Sequence, residues 1–106
     1  MAKGTIKKAG TELAVEEYAI SKAFNLEHGK VIEKQLAISK PGYMPIGIVG
    51  YNFSGTQGMS YLHFYKLYLF DIQTGSCLIE TYIRNTHATL NATGIVPVVY
   101  VLWKKI

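Results

Sequence analysis

The sequence has few of the residues that hold small proteins together through covalent or metal bonds. Cys77 is the only cysteine among 106 residues, so an intrachain disulfide and a cysteine-based zinc cluster are excluded. Because Cys77 stands in an apolar run, we expect a buried, inert thiol. The histidines His28, His63 and His87 share no metal-ligand spacing. The sequence therefore predicts no metal site and no cofactor.

Charge is also scarce, since charged residues make up 17% of the chain and the net charge is +4. Arg84 is the only arginine and the lysines are scattered, whereas nucleic-acid binding calls for a concentrated basic stripe. No apolar run reaches the eighteen or more residues that a membrane span needs, and no signal-peptide pattern opens the chain. We expect a protein made in the cytoplasm that neither binds nucleic acid nor inserts into a membrane.

Motifs that carry enzyme chemistry are missing as well. The seven acidic residues show no pair that would be forced together across a cleft, as glycoside hydrolysis requires. No Gly-x-Ser-x-Gly elbow occurs, and the glycines Gly42, Gly47 and Gly50 do not have the spacing of a phosphate-binding loop. These glycines are instead predicted to permit turns, bulges or close backbone approach. The chain is predicted not to be an enzyme.

Strand-forming residues dominate what is present, with eight Tyr, four Phe and many Val and Ile, interrupted by turn residues at short intervals. The pattern predicts an all-β domain over residues 18–106, an antiparallel β-sandwich of jelly-roll-like type. Residues 1–17 are assigned to an arm or a short helix, because Thr11 could cap a segment rich in Ala, Glu and Lys. The predicted strands are Tyr18–Leu26, Lys30–Ser39, Met44–Phe53, Met59–Asp71, Cys77–Asn85 and Ile95–Lys104.

Two of these strands, Met44–Phe53 and Ile95–Lys104, are apolar on both faces, whereas Lys30–Ser39 has one polar face. A strand that is apolar on both faces must be covered on both, and a two-layer sandwich covers only the inner one. A loop, a helix or another subunit could supply the second cover, and we favour another subunit. The predicted oligomer interface comprises Ile46, Ile48, Val49, Tyr51, Val99, Tyr100, Val101 and Trp103.

A second set of residues is a candidate for ligand binding. Tyr61, His63 and Tyr65 follow each other at period two, so they would point the same way from a strand. They could form an aromatic platform for a sugar or a partner, or pack as an ordinary sandwich face. The polar stretch 86–94 carries hydroxyls and an amide suited to sugar hydroxyls, although turns have the same composition. The candidate ligand-binding residues are Tyr61, His63, Tyr65, Thr86, His87 and Asn91.

The segment Lys40–Tyr51, which reads KPGYMPIGIVGY, resembles a segment of bacteriophage tail and receptor-binding proteins from phages and prophages of Firmicutes. In that family a Tyr-rich strand, a strand ending in Arg-Asn-Thr and a terminal Val-Tyr-Val-Leu-Tyr follow. Here Tyr61–Phe70, Tyr82–Thr86 and Val99–Trp103 stand in those places, in that order. The resemblance covers nearly the whole chain.

This resemblance implies an antiparallel β-sandwich, usually trimeric, from the tip of a tail fibre or baseplate protein. The expected function is that of a virion structural protein, located in the virion, that forms a homotrimer and contacts other virion proteins. One alternative is a receptor-binding tip that recognises a host cell-wall glycan. An alternative of another class is a small prophage-encoded enzyme or ligand-sequestering protein. The family domain usually ends a longer protein, so the resemblance supports the fold better than it supports adhesion.

Overall fold

The computed structural model describes the backbone of residues 4–8, 11–73 and 76–106, and the side chains of residues 12–70 and 76–106. Apart from one short 3₁₀ turn, Met59–Tyr61, the regular elements of this part of the chain are strands. In chain order they are β1 (Gly4–Lys8), β2 (Thr11–Ala19), β3 (Phe24–Leu26), β4 (Val31–Ser39), β5 (Tyr43–Ser54), β6 (Leu62–Gln73), β7 (Ser76–Asn85) and β8 (Ala92–Lys105).

The strands form two antiparallel sheets. In the first sheet β8 is central, with β2 and the short β3 along one edge and β5 along the other, and β1 lies outside β2. The second sheet has the order β4-β7-β6, so β7 is its central strand. The two sheets pack face to face as a single-domain β-sandwich, which confirms the predicted fold class.

Alternation along the two central strands builds the core. Each contributes every second residue to the space between the sheets, and these side chains are fully buried. From β8 they are Ile95, Val99, Val101 and Trp103, and from β7 they are Cys77, Ile79 and Ile83. Cys77 is thus buried, as predicted. In this core the indole N–H of Trp103 donates to the hydroxyl of Tyr18, 3.1 Å away, so the largest core side chain carries no unsatisfied polar group.

The N-terminal prediction is wrong where the chain is described. Gly4–Lys8 and Thr11–Ala19 are paired strands rather than an arm or a short helix, and β2 crosses the proposed boundary at residue 18. The Glu and Ala residues of β2 favour a helix, but pairing with β8 and burial of Ala14 outweigh that weak local preference. The predicted strand Tyr18–Leu26 is also broken: β2 ends at Ala19 and β3 begins at Phe24.

The connection from β5 to β6 crosses from the first sheet to the second and is held against the start of β8. The N–H of Thr56 donates to the carbonyl of Thr93 at 3.1 Å, and the N–H of Thr93 donates to the carbonyl of Gln57 at 2.8 Å. Gly58 lies here with φ of +87°, and a Cβ at this position would be 2.8 Å from Cα of Ala92. Only glycine suits this approach without a shift of the backbone.

Candidate functional site

The predicted interface residues do not lie on one surface. Val99, Val101 and Trp103 are fully buried between the sheets of a single chain, so they cannot contact a second subunit, and their assignment is corrected here. Ile48 is partly buried against the same core. The other four predicted residues remain accessible: Ile46, Val49, Tyr51 and Tyr100.

The outward side of the first sheet carries apolar side chains on three adjacent strands, together with Glu17 beside Tyr100 and Lys104 beside Leu13. Tyr100 and Leu102 of β8 lie at its centre, and the register places Val15 of β2 beside Leu102. We call this surface the outer apolar face. Its apolar members are Leu13 and Val15 of β2, Met44, Ile46 and Val49 of β5, and Val96, Val98, Tyr100 and Leu102 of β8. Most are partly exposed in a single chain, and the three from β5 are 46%, 50% and 54% exposed.

Two β-bulges shape the β5 side of this face. The register shifts between Pro45 and Gly47 and again between Ile48 and Gly50, so Ile46 and Val49 are the extra residues. The glycines Gly47 and Gly50 thus lie in bulges, one of the roles predicted for them. At Gly50 a Cβ would lie 3.3 Å from Cδ2 of Tyr100, so the ring of Tyr100 packs beside this glycine. Most of the segment Lys40–Tyr51 therefore belongs to a bulged edge strand of the outer apolar face.

The predicted ligand-binding residues separate into two groups. Tyr61, Thr86 and His87 lie together at one end of the sandwich: the rings of Tyr61 and His87 are 4.4 Å apart, and the N–H of Thr86 donates to the carbonyl of Tyr61. His63 and Tyr65 are exposed on β6. Tyr61 belongs to the 3₁₀ turn, and a register shift between Phe64 and Lys66 breaks the alternation. The expectation that Tyr61, His63 and Tyr65 share one strand face is therefore wrong.

Polar groups at this end of the sandwich are used to hold the loops. Asn85 is fully buried; its amide donates to the carbonyls of Leu26 (3.0 Å) and Leu90 (3.1 Å), and its oxygen accepts from the N–H of His87. Nδ1 of His87 accepts from the N–H groups of Thr89 and Leu90, both at 3.0 Å.

The amide oxygen of Asn91 accepts from the N–H of His28 at 3.0 Å, and the hydroxyl of Thr86 donates to the carbonyl of Tyr61 at 3.1 Å. Thr86, His87 and Asn91 thus have structural partners within the chain. The run Arg84-Asn85-Thr86 was noted in the sequence, but no role was predicted for Asn85. Its side chain joins the end of β3, the start of the loop after β7 and Leu90 further along that loop.

The outward side of the second sheet is mixed, with tyrosines among charged and amide groups. Nε2 of Gln35 donates to Glu33 at 3.1 Å and to Glu80 at 2.7 Å, and the hydroxyl of Tyr82 bonds Glu33. The bond to Glu33, with the charge of that carboxylate, raises the pKa of Tyr82 above its ordinary value. We call this surface the outer mixed face. Its members are Glu33 and Gln35 of β4, Lys66, Tyr68 and Phe70 of β6, and Leu78, Glu80, Tyr82 and Arg84 of β7.

Spacing along the sequence does not predict this network, because it shows no pair of carboxylates that would be forced together. Glu33 and Glu80 are 47 positions apart, and only the pairing of Gln35 with Glu80 brings both acids to one amide nitrogen. The available signal was the alternation along β7, which marks its outward side as polar. Along this strand Glu80, Tyr82 and Arg84 alternate with Ile79, Thr81 and Ile83.

A smaller polar cluster lies where β2 and β5 begin. The hydroxyl of Tyr43 donates to Glu12, and this bond is the main cause that raises the pKa of Tyr43. Lys40 pairs with Glu16 at 3.3 Å and lies over the ring of Tyr43, 4.5 Å from its centroid. These contacts connect the turn before β5 to β2, so their role is to hold these two parts of the structure together.

Within the described residues, no group of three His, Cys, Asp or Glu side chains is placed to hold a metal ion. In the same part of the chain no helix is long and apolar enough to cross a membrane. The comparisons with known proteins are negative: no family model, no curated protein and no solved structure matches this chain.

Proposed function

We propose that this chain is a structural assembly module of a bacteriophage or prophage virion, non-enzymatic, and that it works as a homotrimer through protein–protein contacts. The observation that carries the proposal is the outer apolar face, which spans three strands and stays partly exposed in one chain. Contiguous apolar surface of this kind typically marks a contact with another protein. The resemblance of Lys40–Tyr51 to phage tail proteins supplies the virion context.

The geometry supports this proposal in a second way. In the second sheet the central strand β7 turns Glu80, Tyr82 and Arg84 outward, as expected for a surface in water. In the first sheet the central strand β8 turns Val96, Tyr100 and Leu102 outward instead, and all three are partly exposed. Because the sandwich itself buries only the inner faces, the outward apolar residues of β8 call for a cover from outside the chain.

The test is the native mass in solution, measured by light scattering on a size-exclusion column. We expect three times the chain mass of 11.8 kDa, or a multiple of that value. Leu102→Glu should abolish this threefold association, because it places a charge at the centre of the outer apolar face. Leu78→Glu is the matched control, since Leu78 is a partly buried leucine on the outward side of the other central strand. A wild-type protein that is monomeric at high concentration would overturn the proposal.

The outer mixed face favours a second candidate function, recognition of a host saccharide. Tyr68 is 41% exposed and pairs across the sheet with Glu80, whose carboxylate accepts a hydrogen bond from Gln35. Tyrosine rings next to amides and carboxylates suit sugars, which have apolar ring faces and hydroxyl edges. Glycan-array binding that is lost in Tyr68→Ala and kept in Tyr100→Ala would support this candidate. An array without signal for the wild-type protein would contradict it.

A further inference from the structure

The edge strand β4 has an unpaired side that is unusually regular. Among the described residues β4 pairs with β7 alone, through nine residues in unbroken register. The edge strands β5 and β6 each carry two register shifts, and β5 also contains Pro45. Bulges and proline hinder the addition of another strand, and β4 has neither.

The backbone groups that β4 turns away from β7 can be identified from two hydrogen bonds. The N–H of Asn85 donates to the carbonyl of Lys30 at 3.0 Å, and the hydroxyl of Thr81 donates to the carbonyl of Lys34 at 2.9 Å. Even-numbered residues therefore direct their backbone groups toward β7. Because these groups alternate along an antiparallel strand, the odd-numbered residues direct theirs outward. The outward set is Val31, Glu33, Gln35, Ala37 and Ser39.

We propose that β4 pairs antiparallel with β4 of a second copy of this chain, around a two-fold axis at Gln35. In this register Gln35 faces Gln35 of the second copy, Glu33 faces its Ala37, and Val31 faces its Ser39. Every member of these pairs turns its N–H and carbonyl outward, so each pair can exchange two hydrogen bonds. The two three-stranded sheets would join into one sheet of six strands.

Side-chain chemistry selects this register over its neighbours. With Gln35 on the axis no like charges face each other, because Glu33 meets Ala37 and Lys34 meets Leu36. An axis at Lys34 would oppose two ammonium groups and an axis at Glu33 two carboxylates, which is destabilising. An axis at Leu36 would bring Val31 to Pro41, and an axis at Ala37 would bring Glu33 to Pro41; proline has no N–H to donate. Lys34 is already placed within its own chain, with its ammonium 4.7 Å from the ring centroid of Phe24.

The inference is independent of the proposed function, because β4 belongs to the second sheet and the outer apolar face to the first. Two-fold pairing of this kind would connect two assemblies that form through the outer apolar face. Leu102→Glu should therefore leave a dimer that is held through β4. The two proposals can fail separately.

Cysteine cross-linking tests the register. Opposed residues in hydrogen-bonded antiparallel pairs have Cα atoms about 5.5 Å apart, within the range of a disulfide. Gln35→Cys should therefore give an oxidised dimer on a non-reducing gel. Neither Glu33→Cys alone nor Ala37→Cys alone should give an oxidised dimer. A mixture of these two proteins should give one. The native Cys77 is fully buried and common to all samples. Absence of cross-linking in both Gln35→Cys and the mixture would overturn the proposal.

Two further variants, made in the Leu102→Glu background, measure the strength of the contact. Gln35→Pro removes two outward N–H donors at the axis and should weaken dimerisation about 30-fold in sedimentation experiments. Gln35→Lys should also weaken it, because it places like charges on the axis while it can still pair with Glu33 and Glu80 within the chain. Thermal unfolding of each variant verifies that it is folded. Unchanged dimerisation in both folded variants would contradict the pairing.

Discussion

The two central strands, β7 and β8, occupy equivalent positions in the two sheets and turn the same kind of side chain inward. Cys77, Ile79 and Ile83 of β7 and Val99 and Trp103 of β8 are all fully buried. They differ outside, where β7 shows charged and hydroxyl groups and β8 shows Val, Tyr and Leu. They also differ inside, since Thr81 and Asn85, the buried polar residues of the described chain, both belong to β7. The sandwich requires the inner apolar residues; it does not require the outward ones of β8.

The largest expected effect tests the equivalence of the inner faces. Trp103→Ala should lower the free energy of unfolding by about 3–5 kcal/mol, and Ile79→Ala by about 2–5 kcal/mol, because each leaves a cavity in one shared core. Urea denaturation, fitted with a common slope, measures both. A loss below about 1 kcal/mol for either variant would show that its strand does not anchor the core as described.

A smaller effect is expected at the buried polar end of β7. Asn85→Ala should lower the free energy of unfolding by about 2–4 kcal/mol, because the carbonyls of Leu26 and Leu90 and the N–H of His87 lose their partner. Amide hydrogen exchange should increase in the segments around residues 26–30 and 86–91. If exchange increases uniformly over the chain instead, Asn85 does not act locally on these loops.

A still smaller effect is expected within β7 at Thr81. Thr81→Val keeps the shape and removes one hydrogen bond, from its hydroxyl to the carbonyl of Lys34. The expected loss of unfolding free energy is about 1 kcal/mol, measured by urea denaturation. Val99→Thr is the converse change in β8, where the new hydroxyl would be buried among apolar side chains. It should cost more than Thr81→Val, and the opposite order would contradict the assigned difference between the two strands.

The smallest effect concerns pH and the outer mixed face. The pKa of Tyr82 is raised by its bond to Glu33, so the folded state favours the protonated phenol. This contribution is present below the unfolded pKa of about 10 and is lost as pH rises through the higher folded value. Urea midpoints of the wild type should therefore fall more steeply above about pH 10 than those of Tyr82→Phe. Tyr100→Phe, on the outer apolar face, is the control, and parallel curves for wild type and Tyr82→Phe would contradict the assignment.

How much of this fold could be predicted depends on whether a feature is local in sequence. The strands from β4 to β8 were predicted near their true bounds, because turn residues separate them and their alternation is clear. The strand β2 was missed, because its partner β8 is more than 75 positions away and its own composition favours a helix. No local pattern reports such a pairing.

The candidate surfaces were harder to predict for two physical reasons. Since β8 is apolar on both sides, alternation separates its two faces without showing which is inner, and Val99, Val101 and Trp103 were placed at an interface. Tyr61 lies in the 3₁₀ turn before β6, and on β6 a register shift makes Tyr65 an extra residue. The extra residue of a bulge is not marked by any change in amino-acid composition. Only the pairing of β6 with β7 therefore reveals the bulge. That β4 has one polar face was predicted correctly, because polar and apolar residues alternate along it.

The central place of β8 has a consequence for the order of events during folding. β2, β3 and β5 all pair with it, yet it follows them in the chain, and the loops that it closes include most of the domain. While residues 92–105 are still being synthesised, β6 and β7 can pair and β4 can add to β7, but β2, β3 and β5 lack the strand that joins them. Pairing between such distant residues costs loop-closure entropy before any contact stabilises the pair. We therefore expect slow folding for a chain of this length. A nascent chain halted before residue 92 would then expose to chaperones three strands that lack their common partner, β8.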